Sequence, residues 1–98
     1  MATVREKLES ETMDARWGDL APQFARGVLV LAVGMTPAEV GEAFARDDKG
    51  KVQAWMSDGR VRLCTDDDGR RYAESGSTFR FVIVAPFVIA VEASVEAG

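Results

Sequence analysis

Three consecutive carboxylates, Asp66-Asp67-Asp68, form the densest group of potential metal ligands in this chain of 98 residues. A hard cation such as Ca²⁺ or Mg²⁺ binds several such oxygens at once. Consecutive side chains point in different directions, however, and no ligand-spaced loop surrounds them. Thr65 stands three residues before Asp68, the spacing of a helix cap. Acidic side chains in a first helical turn are favoured by the helix dipole. Capping is the preferred reading for this run and for Asp47-Asp48; a small metal-dependent protein with acidic turns is an alternative. Cys64 would need a nearby positive field to act as a thiolate, and Arg62 lies two residues away on the same side of a strand. A small buried side chain is the simpler reading of Cys64. Histidine is absent, which removes the commonest general base and the commonest zinc ligand. The sequence contains no nucleophile–base pair and no phosphate-cradling glycine loop. It names no reaction, and no catalytic, metal or cofactor-binding residue is assigned.

Arg60, Arg62, Arg70 and Arg71 flank one strand–helix unit, and with Lys49 and Lys51 they could form a local basic patch. A nucleic-acid-associated regulator using those arginines is the second alternative. The net charge of -4 weighs against it, because nucleic-acid binders carry a basic footprint. Nothing in the chain is long and apolar enough for a membrane-spanning helix, and the N-terminus has no signal-peptide pattern. One cysteine allows no internal disulfide. A reducing cytoplasm fits these features.

The elements that would position these residues follow from periodicity. Val4 to Ala15 reads as a weakly amphipathic helix. Trp17, Leu20, Ala21 and Phe24 make an apolar helical stripe, with Asp19 as cap and Gly27 as terminator. Val28 to Val33, six apolar residues between glycines, reads as a strand buried on both faces. Thr36-Pro37-Ala38-Glu39 is a capping box with a proline start. A second helix, capped by Asp47 or Asp48, carries Val52, Trp55 and Met56 and closes at Gly59. Trp17 and Trp55 read as core residues. Arg60 to Cys64 alternates as a half-exposed strand. A short helix follows to about Glu74.

The last element is the most unusual. Phe79 to Val91 is β-branched and aromatic almost throughout and is interrupted once, at Pro86. Thirteen extended residues span roughly 43 Å, against about 32 Å for a compact domain of this length. The tract must bend at Pro86 or run into a partner. The expected architecture is a single small α+β domain, residues 1–98 with an ordered core of about 4–92 and frayed termini. It has about three strands and four or five short helices packed mainly on one face of the sheet. The expected role is a non-enzymatic interaction module that forms a homodimer through the 78–91 region. Phe79, Phe81, Ile83, Pro86, Phe87 and Ile89 are its candidate interface residues.

Three groups of residues also resemble a known family. They are Trp17-Gly18-Asp19-Leu20 with Phe24-Ala25-Arg26-Gly27; Glu42-Ala43-Phe44-Ala45-Arg46-Asp47-Asp48 with Val52-Gln53-Ala54-Trp55 and Gly59; and Ala85-Pro86-Phe87-Val88. In this order and spacing they are similar to the domain-of-unknown-function family 2288, over about Val4 to Glu92. Phe87 stands where that family more often has Trp, and Lys49-Gly50-Lys51 is unusual for it. The resemblance implies a bacterial cytoplasmic protein and no established activity, so it assigns no functional residues.

Overall fold

A computed structural model describes residues 3–93. The elements are α1 (Val4–Glu11), β1 (Met13–Arg16), α2 (Trp17–Ala25), β2 (Leu29–Ala32), α3 (Pro37–Ala45), α4 (Lys49–Ser57), β3 (Val61–Leu63), α5 (Asp66–Ser75), β4 (Thr78–Val84) and β5 (Phe87–Glu92). The strands form one mixed sheet in the order β1-β4-β5-β2-β3. All neighbours are antiparallel except β2 and β5.

Five strands replace the expected three, for two reasons. The long tract bends home: Val84 pairs with Phe87 across a turn at Ala85–Pro86, whose peptide bond is cis, so one tract becomes the β4–β5 hairpin. The proposed helix over Val4 to Ala15 stops at Glu11, and Met13–Arg16 pairs with Phe81–Thr78 instead. Thr12 ends α1 in extended conformation, its hydroxyl donating to the Leu8 carbonyl at 2.8 Å. β1 has little intrinsic strand preference; pairing with β4 overrides it.

The helices also cover both faces, not mainly one. On one side Leu8 of α1 and Ala38 and Val40 of α3 pack on Val30, Ala32, Val61, Val82 and Ile89, with Trp55 of α4 against them. On the other, Leu20 of α2 and Tyr72 of α5 pack on Ala15, Leu29, Leu31, Phe79, Val88 and Ala90. Successive strand residues alternate between the two cores, as the pleat requires. All four residues of β2 are therefore buried, as its uniform apolar run predicts.

Local signals behave as their chemistry demands. Thr36 and Thr65 both close capping boxes, with Glu39 and Asp68 respectively. Asp48 caps α4 by accepting from the Lys51 amide at 3.2 Å. The start of α2 differs from expectation: the helix begins at Trp17, and Asp19 reaches back from its first turn to the Arg16 amide at 3.1 Å. Pro22 consequently lies inside α2. The C-terminal segment expected to fray lies outside the described residues beyond position 93.

Candidate interaction surface

The acidic run and the arginines are brought together by α5 and β3. Asp68 is 3% exposed and is the third residue of its helix, which points its carboxylate at the neighbouring strand. Arg62 donates to both of its oxygens, Arg71 donates to Oδ1 at 3.0 Å, and the Thr65 amide and hydroxyl each donate to Oδ2 at 2.9 Å. The Arg62 guanidinium, helped by Thr65, holds this carboxyl well below the usual carboxylate range. Asp68 is thus the anchor of a structural network. Asp66 and Asp67 point to solvent in the first turn. Among the described residues no three Asp, Glu or Cys side chains converge on one point.

Of the four arginines, Arg62 and Arg71 are committed to Asp68, and Arg71 also lies 5.0 Å from the centre of the Tyr72 ring. Arg60 and Arg70 are exposed, Arg60 just before β3 and Arg70 one turn along α5 from Asp66 and Asp67, so the four do not form a uniform basic field. Cys64 is half-buried, and burial, reinforced by Asp68, pushes its thiol up to about 11. A thiol so placed is protonated and poorly nucleophilic at neutral pH.

The six hairpin residues divide into three classes. Phe79 and Ile89 are fully buried, one in each core. Phe81 and Phe87 are partly buried, and Ile83 and Pro86 are exposed. Phe87 meets Phe44 edge-on, with ring centres 5.4 Å apart, and with Pro86 borders an apolar groove of about 370 Å³. The groove lies between the α3–α4 turn, with Asp47, Asp48 and Lys49 on its rim, and the hairpin turn. Phe81 and Ile83 lie on the other face, beside Met13, which pairs with Phe81. Met13 is 55% exposed and Ile83 56%, and with Ser10, Glu11 and Phe81 they line a shallow depression of about 320 Å³. Met13 was not among the six candidate interface residues, because the sequence reads it as part of the N-terminal helix rather than as a strand residue. Met-Asp-Ala-Arg has no strand signature, and a residue's neighbour across a ladder is not encoded locally.

Backbone geometry limits where another strand could add. β4 and β5 each have two neighbours in the sheet, but β1 reaches only from Thr78 to Phe81, so the outer edge of β4 is unpaired at Ile83. In the outer strand β1, Trp17 N–H bonds to the Ser77 carbonyl at 3.3 Å. Alternation then turns the backbone groups of Met13 and Ala15 toward β4 and those of Asp14 and Arg16 outward. The Arg16 amide is taken by Asp19, leaving Asp14 as the open position, with a charged side chain. At the opposite edge, bonds from Val33 to Arg60 and from Cys64 to Leu29 turn Val61 and Leu63 outward. Val61 is buried with α4 packed on β3, leaving Leu63. Short, charged or covered edges of this kind resist strand addition.

The chain is also similar to known proteins. A solution structure of PA1075 from Pseudomonas aeruginosa superposes with a TM-score of 0.83 at 36% identity, covering 100% of this chain and 92% of that one. No curated protein matches the chain. The family model for proteins of unknown function designated DUF2288 matches residues 3–92, the whole of the sheet and all five helices. With that match and the resemblance of its Trp-Gly-Asp-Leu, Ala-Phe-Ala-Arg-Asp-Asp and Ala-Pro-Phe segments, the chain belongs to the DUF2288 family.

Proposed function

We propose that this protein is a non-enzymatic interaction module that self-associates through the exposed face of the 78–91 hairpin. The observation that carries this reading is the apolar strip formed by exposed Met13 and Ile83 with half-buried Phe81 between them, on neighbouring strands of one sheet face. The helices α2 and α5 pack over Ala15, Leu29, Leu31, Phe79, Val88 and Ala90 and reach the edge of Phe81, leaving Met13 and Ile83 exposed. Its three side chains carry no charge, so two copies can meet face to face about a twofold axis without burying one. Only a short stretch of β4 at Ile83 lacks a strand neighbour, too little for an extended ladder, which favours the face over strand addition. Such a patch is small, and small interfaces belong to the weak, concentration-dependent class.

The same reading places the protein in the bacterial cytoplasm. The lone thiol needs no oxidising compartment. The Pseudomonas aeruginosa relative supports a bacterial setting. Among the described residues no helix is long and apolar enough to cross a membrane. Commitment of Arg62 and Arg71 to Asp68 weighs against nucleic acid as the partner.

Light scattering over a concentration series tests the assignment. The unmodified chain should rise from monomer toward dimer mass, and Ile83→Lys should remain monomeric with an unchanged circular dichroism spectrum. Equal behaviour of the two chains would overturn it.

A further inference from the structure

We draw no further inference here: the strongest candidate, the apolar groove between the α3–α4 turn and the Ala85–Pro86 hairpin turn, with Phe44 and Phe87 in its wall, carries nothing because nothing in the structure shows what covers it.

Discussion

At the scale of single residues, Asp68 does most to tie sequence to fold. It closes the capping box of α5 and neutralises Arg62 on the adjoining strand. Breaking a fully buried ion pair by removing one partner costs about 3–5 kcal/mol. Here the arginine side chains are 39% and 60% exposed, so solvent screens part of the interaction. Asp68→Asn should therefore cost about 2 kcal/mol at neutral pH, read as a lower urea midpoint. The pH dependence has a definite sign. The folded pKa is lowered, so the contribution is complete above the unfolded value of about 4 and is lost as the pH falls through the folded value. The unmodified chain should lose stability below about pH 4, and the Asn variant should lose less over that acid limb. Parallel acid limbs would show that Asp68 is not the linked group. Cys64 gives a second test. With its thiol raised to about 11, alkylation by iodoacetamide in the native state should be slow at neutral pH and climb only in strong base. Rapid labelling at neutral pH would contradict the burial assigned to it.

At the scale of elements, much of the chain was legible. Thr36-Pro37-Ala38-Glu39 and Thr65 with Asp68 announced their helices because capping is local chemistry. The hairpin was legible only as a choice: Pro86 could mark a bend, but pairing of Val84 with Phe87 is settled by tertiary contacts. β1 was illegible because four residues of weak propensity become a strand only when β4 lies beside them. The run from Val28 to Val33 did carry the information that helices must flank both faces, since a strand apolar on both sides needs cover on both. The expectation of one-sided packing conflicted with that requirement.

Two glycines in consecutive helices test the packing. A Cβ at Gly41 would lie 3.1 Å from Leu8 Cδ1, 3.2 Å from Val84 Cγ2 and 3.3 Å from Val82 Cγ1, where α1, α3 and β4 meet. Overpacking costs about 1–3 kcal/mol, and the gain in helix propensity returns about 1 kcal/mol. Gly41→Ala should lower the melting temperature. At Gly50, by contrast, the nearest neighbouring atom is Asp48 Oδ1 at 3.9 Å. Gly50→Ala should raise stability by about 0.5–1 kcal/mol. The reverse order in thermal melts would mean that α3 does not pack as described.

At the scale of the whole molecule, the hairpin satisfies its own backbone. The long tract does not need a partner to pair most of its backbone, because β1 flanks β4 from Thr78 to Phe81 and β2 flanks β5 within one chain. That finding removes the geometric motive for strand exchange and moves the case for association to side chains. The expected interface contracts accordingly: Phe79 and Ile89 serve the two cores, while Phe81 and Ile83, joined by Met13, offer an apolar surface. Legibility was lowest here, since the sequence marks the tract as apolar but not which of its residues the helices cover. The most direct test is the weight-average mass of the full chain by light scattering across a dilution series, beside Ile83→Lys. A dimer that dissociates on dilution and is abolished by the lysine is the predicted result; a monomer at every concentration would contradict the account.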